Sequence, residues 1–426
     1  MPVKSSEGYI DLKYKPDYKH DLICSFYIVP AEGMTIAKAA ENVASESSIG
    51  TWTDVATMSP RIKKLGAKVY EIKGNWVKIA YPEQLFEAGN MPEILSSIAG
   101  NVFGMKAVAS LRLEDVEWPY EIMKAFKGPV FGIPGIRKIV RVPKRPLTGT
   151  IVKPKLGLNE KEHARVAYDA WVGGVDIVKD DENLSSMKFN KFQKRLDETM
   201  KMRDKAEKET GERKMYMPNV TAETFEMLKR AKAVKKSGNE YLMVDIITTG
   251  WAGLQTLRNA NDDLKLVLHA HRAGHAAFTR GHHGIAMLVI ADAARLIGLD
   301  QIHIGTVVGK MEGDKTEVQH IDEEIEHRFI KANGHTLAED WHHIKPVFAV
   351  CSGGLHPGHV PRLVKYLGKD IIIQMGGGIH GHPLGTVGGA KAARQSVDAV
   401  IKGMSLHEYA KKHKELKMCL DKWGTV

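Results

Sequence analysis

The chain has 426 residues, 43% hydrophobic and 26% charged, enough to bury a large core in an ordinary globular composition. The net charge is +10, but the basic residues are spread among acids, which favours a solvated surface, or attraction of a small anionic substrate, over a nucleic-acid-binding face. A polar N-terminal stretch and the lack of a long apolar run argue against a signal peptide and a membrane span; three scattered cysteines, Cys24, Cys351 and Cys419, argue against a disulfide framework, so a cytoplasmic location is expected.

Residues 1–128 read as an N-terminal α+β domain. Asp21–Pro30 is an apolar run that predicts a strand. Thr35–Ser47 predicts a helix with Ile36, Ala39, Ala40 and Val43 on one face. Ala67–Tyr81 predicts a hairpin around Lys73-Gly74-Asn75. Pro92–Ala99 then predicts a second helix and Val108–Glu114 a last strand. Helices alternating with strands in this order suggest a split βαβ, ferredoxin-like domain.

Phe126–Pro146 is a connection punctuated by Pro and Gly. From 129 to 426 the pattern is strand, loop, helix, repeated. Apolar runs fall at Gly149–Val152, Gly174–Val178, Lys214–Met217, Tyr241–Ile247, Leu264–Leu268, Gln301–Ile304, Pro346–Val350 and Asp370–Ile373. Asn159-x-x-Glu162 and Ser405-x-x-Glu408 are helix-start signals among them. About eight short, non-alternating strands, each followed by a helix, predict a C-terminal (β/α)8 TIM barrel. A doubly wound sheet is the weaker alternative, because no GxGxxG follows the first strand.

Such a barrel carries its active site at the C-terminal ends of its strands, and here nearly every strand end is polar. Lys179 lies two residues before Asp181, so strand alternation puts both inside the barrel. Asp181 and Glu182 offer oxygens to a hard cation such as Mg²⁺. A lysine buried beside a cation has its pKa lowered, and its neutral amine can add CO2 to form an anionic carbamate ligand. A Lys–Asp salt bridge is the plainer reading of the same residues. Glycine-rich turns at Ser352-Gly353-Gly354 and Gly376-Gly377-Gly378 suit a phosphate, or are tight turns that need glycine. Arg272 can pair with a second phosphate, so the expected substrate is a bisphosphate. His271 is read as a general base, His303 as a phosphate donor and His269 as structural. A zinc site at the His-x-His pair is the alternative. The loop Gly305–Gly313 frames Lys310 with glycines, as a mobile lid would, or is a merely flexible loop.

Taken together, these residues resemble the large subunit of ribulose-1,5-bisphosphate carboxylase/oxygenase. GTIVKPKLGL (149–158), GGVDIVKDDEN (173–183), HAHRAGH (269–275), IHIGTVVGKMEG (302–313), CSGG (351–354) and QMGGG (374–378) fall in the family's order and spacing. ESSIGTWT (46–53) and GNVFGMKAV (100–108) match in the N-terminal domain, so the likeness covers nearly the whole chain. The resemblance implies Mg²⁺, activating CO2 as a carbamate on Lys179, and Asp181 and Glu182 as the other metal ligands. The carbamate would be the base for enolisation. Lys153 would handle proton transfer to the intermediate, supported by Lys155, and His271 would assist deprotonation. Lys310 would stabilise the new carboxylate, oriented by Glu46. Thr51, Trp52, Gly354, Gly376 and Gly377 would hold one phosphate; Arg272, His303 and Ser352 would hold the other. Gly353 and Gln374 fall in the same substrate-binding set, and Asn101 would touch substrate near the metal.

In that family Glu46, Thr51, Trp52 and Asn101 serve the neighbouring subunit's site, so a homodimer or a ring of dimers is implied. The partners would be ribulose 1,5-bisphosphate, CO2 and O2, with no small subunit, nucleic acid or membrane. Ile151 and Ile304 depart from the plant pattern, and the sequence given stops shortly after Trp423. The chain looks most like the archaeal-type form III, or a form II/III intermediate, which implies a place in AMP salvage. The nearest rival is a Rubisco-like enolase or isomerase acting on a related sugar phosphate; a basic RNA-binding protein is a more distant one that leaves the polar strand ends unexplained.

Overall fold

The computed structural model describes residues 8–51, 53, 55–308 and 315–425. The chain divides into two compact units. One comprises Met1–Gly128, Gly274–Ile297 and His327–Ile344; the other comprises Pro129–Ala273, Gly298–Glu326 and Lys345–Val426.

In the first unit, β1 (Asp21–Pro30), β2 (Lys68–Lys73), β3 (Trp76–Pro82) and β4 (Val108–Glu117) form an antiparallel sheet in the order β4-β1-β3-β2. The helix Ile36–Glu46 links β1 to β2, and Met91–Ile98 lies between β3 and β4. This is the split βαβ order expected of a ferredoxin-like domain. Thr35 accepts from Lys38 N and Asn90 from Glu93 N, so each helix starts on a side-chain cap. Gly284–Ile285 adds a short parallel strand at the β4 edge. That pairing explains why a segment taken from between two barrel strands clusters here. Asp115 ties in the other segment: its buried carboxylate accepts from Leu337 N at 2.7 Å. Burial pushes its pKa up to about 7.

The second unit holds eight parallel strands: β5 (Leu147–Ile151), β6 (Ile177–Lys179), β7 (Met215–Met217), β8 (Tyr241–Asp245), β9 (Val267–His271), β10 (Gln301–Gly305), β11 (Phe348–Ser352) and β12 (Ile371–Gln374). The hydrogen-bonded order is β7-β6-β5-β12-β11-β10-β9-β8. A parallel bridge between Asn219 and Met243, just past β7 and within β8, closes the ring. This is a TIM barrel.

Two strands sit a few residues later than their apolar runs suggest, for a shared reason. Gly174, at φ +116°, ends the helix Glu160–Gly173 in the left-handed region, so β6 begins only at Ile177 and reaches Lys179. Lys265, at φ +50°, ends the helix Ile246–Leu264 in the same way, so β9 runs Val267–His271 and includes both histidines.

The barrel interior is graded along its axis. At the N-terminal end, Leu147, Ile177, Met215, Tyr241, Val267, Phe348 and Ile372 pack on Ile133, Ile136 and Val140 of the helix Gly132–Val140. Each fully buried aliphatic side chain contributes about 1.5–3 kcal/mol. The helix start is fixed by Asp300, whose Oδ1 accepts from Phe131 N and Gly132 N at 2.7 and 2.9 Å. Further along β6, β8, β9, β11 and β12 the inward positions become polar, at Lys179, Asp245, His269 and His271, Ser352 and Gln374, and there the site lies.

Candidate active site

Lys179 ends β6 and is fully buried. Its Nζ donates to Asp180 O at 2.8 Å, lies 3.1 Å from Met243 Sδ, and approaches Glu182 Oε2 only to 3.8 Å. Burial, partly offset by Glu182, Asp245 and Asp181, lowers its pKa. The ion pair formed by the buried amine is thus a long one, to Glu182 rather than to an aspartate.

Asp181 is held from two sides. Oδ2 accepts from Lys153 Nζ at 2.6 Å, and Oδ1 accepts from Asn183 N and Nδ2 at 3.2 and 3.0 Å. Those donors, Lys153 first, keep its carboxyl below the usual range despite burial. Glu182 stays a third exposed, with its side chain toward Lys179 and His271.

Asp180 points the other way. Its carboxylate accepts from Tyr216 Oη at 2.7 Å, Arg195 Nε at 3.0 Å and Asn219 N at 3.0 Å, with His163 Nε2 at 3.1 Å. Its pKa falls far below the ordinary carboxylate value because Arg195 outweighs burial. This anchor is what fixes Lys179 and Asp181 on either side. The sequence analysis gave Asp180 no role. The available signal was strand alternation, which turns it outward between two inward residues.

His271 ends β9. Its Nδ1 lies 2.9 Å from Asp245 Oδ1, and its Nε2 is 3.6 Å from Glu182 Oε2. Burial and Lys179 lower its pKa. His303 on β10 has both ring nitrogens engaged: Nδ1 with Ser352 Oγ at 2.6 Å and Nε2 with His269 Nε2 at 2.9 Å. His269 continues to Gln301 Oε1 at 3.1 Å.

A cavity of about 700 Å3 joins these groups. Lys153, Lys179, Glu182, His271, His303 and Ser352 line it, together with Gly353, Gly354, Gln374, Gly376 and Gly377. Gly354 has φ +68°, which suits glycine. A Cβ on Gly376 would come within 3.3 Å of Lys153 Cε, so bare backbone there gives that lysine its room. Gln374 is buried with both amide atoms unpartnered, packed on Gly149. Arg272 packs against Gly305 and is not among the residues lining the cavity, with burial lowering its pKa to about 10. His356, His359 and Trp423 also border the cavity, and the sequence analysis gave none of them a role.

The remaining predicted residues do not line this cavity among the described residues. Lys155 is exposed beyond β5. Glu46, Thr51 and Asn101 are exposed residues of the first unit. Trp52 and Lys310 fall outside the described residues.

An eight-stranded parallel barrel with a buried amine, carboxylates and imidazoles at its C-terminal mouth defines an enzyme of the (β/α)8 class. The family model described as "Ribulose bisphosphate carboxylase large chain, catalytic domain" matches residues 132–423, and the N-terminal domain model of the same family matches residues 8–122. A ribulose bisphosphate carboxylase from Methanosarcina mazei is 52% identical over 422 residues, covering 97% of this chain and 98% of that one. One from Methanocaldococcus jannaschii is 52% identical over 428 residues, covering 97% and 99%. A solved dimeric archaeal Rubisco from Hyperthermus butylicus superposes with TM-score 0.93 at 46% identity, over 98% of this chain and 99% of that one. An octameric Rubisco from Pyrococcus horikoshii, solved with sulfate ion, gives TM-score 0.90 at 47% identity, over 98% and 96%. This chain belongs to the ribulose bisphosphate carboxylase large-chain family.

Proposed function

We propose that the chain carboxylates, and oxygenates, D-ribulose 1,5-bisphosphate in a Mg²⁺-dependent reaction that gives 3-phosphoglycerate. The observation that carries this reading is the buried Lys179 amine, 3.8 Å from Glu182 and flanked through Asp180 by the anchored Asp181. Among the described residues no three His, Cys, Asp or Glu side chains gather to hold a metal. The two carboxylates fit a magnesium site once a further oxygen donor is supplied. Lys179 supplies it when its Nζ bonds to the carbon of CO2, one C–O π bond opens to an oxyanion, and the displaced proton leaves to solvent.

Lys179 as carbamate, Asp181 and Glu182 would hold the magnesium, which supplies polarisation of the sugar carbonyl and stabilisation of the enediolate charge. As a carbamate, Lys179 would be the base for enolisation. His271, with Nε2 facing the cavity, assists deprotonation at the hydration and cleavage steps. Lys153 Nζ returns a proton to the cleaved product, and Lys155 supports it electrostatically. Thr51, Trp52, Gly354, Gly376 and Gly377 bind one phosphate. Ser352, with His303 and Arg272, binds the other; Gly353 and Gln374 complete the wall.

Glu46, Asn101, Thr51 and Trp52 would act in the neighbouring subunit's site, and Lys310 at the new carboxylate, so the working form is a homodimer or a ring of dimers without a small subunit. The dimeric and octameric assemblies of the solved archaeal relatives support self-assembly. The pathway we propose is AMP salvage, in the cytoplasm. No helix among the described residues is long and apolar enough to cross a membrane.

The test is fixation of labelled CO2 by purified protein preincubated with CO2 and Mg²⁺. Labelled 3-phosphoglycerate is expected. Turnover of the bisphosphate without labelled product would leave an enolase or isomerase in its place.

A further inference from the structure

Met375, between β12 and the glycine turn at Gly376, is tied to β5 through both of its backbone groups. Its N–H donates to Gly149 O at 2.9 Å, and its carbonyl accepts from the Thr150 hydroxyl at 2.7 Å. Thr150 and Met375 are fully buried. The peptide between Met375 and Gly376 is trans, so its C=O and N–H point in opposite directions. With the carbonyl held toward β5, the Gly376 N–H is turned to the side of β11, the other neighbour of β12. Gly353 and Gly354 follow β11 there and line the cavity together with Gly376. Gly376 N finds no acceptor among the described residues.

The Thr150 hydroxyl has one proton, and His380 decides where it goes. His380 Nε2 lies 2.9 Å from Ile151 O and 2.9 Å from Thr150 Oγ1. A carbonyl oxygen only accepts, so Nε2 carries the hydrogen. Burial lowers the pKa of this ring to about 4, so it is neutral and Nδ1 is a lone pair, which accepts from Thr386 Oγ1 at 3.0 Å. An Nε2–H cannot accept from Thr150. Of the two carbonyls in reach of the hydroxyl, Met375 O is at 2.7 Å and Ile151 O at 3.5 Å, so the proton goes to Met375. The His380 backbone N also donates to Gly376 O at 3.1 Å, so one residue braces both the hydroxyl and the glycine turn.

We propose that Thr150 is a positioning residue: its hydroxyl, locked by His380, pins Met375 O and thereby aims the Gly376 N–H at an anionic oxygen of the substrate. This rests on the reading of Gly376 as a phosphate contact. A hydrogen bond weakens steeply as its angle closes, so a peptide plane free to turn would bind the phosphate less well.

Met375-Gly376 is the only Met-Gly pair in the chain. Labelling methionine with carbonyl 13C and glycine with 15N therefore isolates the Gly376 amide in a carbonyl-correlated NMR spectrum of the full-length enzyme. Inorganic phosphate is the probe. In the unsubstituted protein the Gly376 amide proton is expected to move downfield as phosphate saturates the site. Thr150→Val keeps the side-chain shape and removes the hydroxyl. It should shrink that shift and raise the phosphate concentration needed roughly tenfold or more, as for one hydrogen bond to an ion. The KM for the bisphosphate should rise by a larger factor than kcat falls. Thr150→Ser should restore the Gly376 response. A response in Thr150→Val equal to that of the unsubstituted protein overturns the proposal and leaves the phosphate reading standing. No Gly376 response in the unsubstituted protein overturns the phosphate reading and the proposal with it. If Thr150→Val does not fold, 15N-histidine shifts of the unsubstituted protein still decide, because an Nδ1–H tautomer at His380 overturns the proposal.

Discussion

The carboxylate of Asp245 sits 2.9 Å from His271 Nδ1, and the opposite nitrogen of the ring faces Glu182 at 3.6 Å. Ala273 N also reaches Nδ1, at 3.2 Å, but an ionised carboxylate only accepts and has the stronger claim on a proton there. The ring therefore carries Nδ1–H and presents the Nε2 lone pair to the cavity, which is the form a general base needs. Asp245→Asn removes the charge that selects this tautomer. We expect kcat to fall by about 10²-fold or more, with the thermal midpoint little changed. Steady-state kinetics and a melt check this; unchanged kcat contradicts the role.

Asp180 and Arg195 form a fully buried ion pair behind the Lys179 loop. Removing one partner leaves an uncompensated buried charge. Asp180→Ala should cost roughly 3–5 kcal/mol of stability in denaturant unfolding. A loss below about 1 kcal/mol would show that Tyr216 and Asn219, not the charge pair, anchor the loop.

Asp322, on the helix Lys315–Glu326, is buried with Oδ1 unpartnered. Burial first, then Glu326, Glu323 and Asp370, pushes its pKa up to about 8. The folded state thus holds this proton more tightly than the unfolded chain does. Its contribution is fully present below the ordinary aspartate value of about 3.9 and is lost as pH rises through about 8. Asp322→Asn should therefore gain melting temperature over the unsubstituted protein at about pH 9 by more than at about pH 5. An equal difference at both pH values contradicts the assignment.

The architecture was legible because two periodicities survive in the sequence: Asn159-x-x-Glu162 starts a helix with both capping bonds formed, and the eight apolar runs all became strands. The convergence of Lys153, Lys179, Glu182, His271, His303 and Ser352 on one cavity was legible for the same reason, since each sits at a strand end. What stayed hidden depends on partners distant in sequence. Asp180 acquires its anchoring role from Arg195 and Tyr216. His303 read as a free donor because nothing in its own segment announces that Ser352 and His269 occupy both nitrogens. Trp423 had no role in the sequence reading, and the helix Lys414–Trp423 carries it to the cavity wall.

We propose that Lys179 works as a carbamate. The most direct measurement is carbon-13 NMR of the enzyme loaded with 13CO2 and Mg²⁺, with the lysine side-chain nitrogen labelled. We predict a carbamate resonance coupled to one lysine Nζ, lost in Lys179→Ala together with all CO2 fixation. Undiminished CO2 fixation by Lys179→Ala, or a carbamate signal that persists in it, would contradict the account.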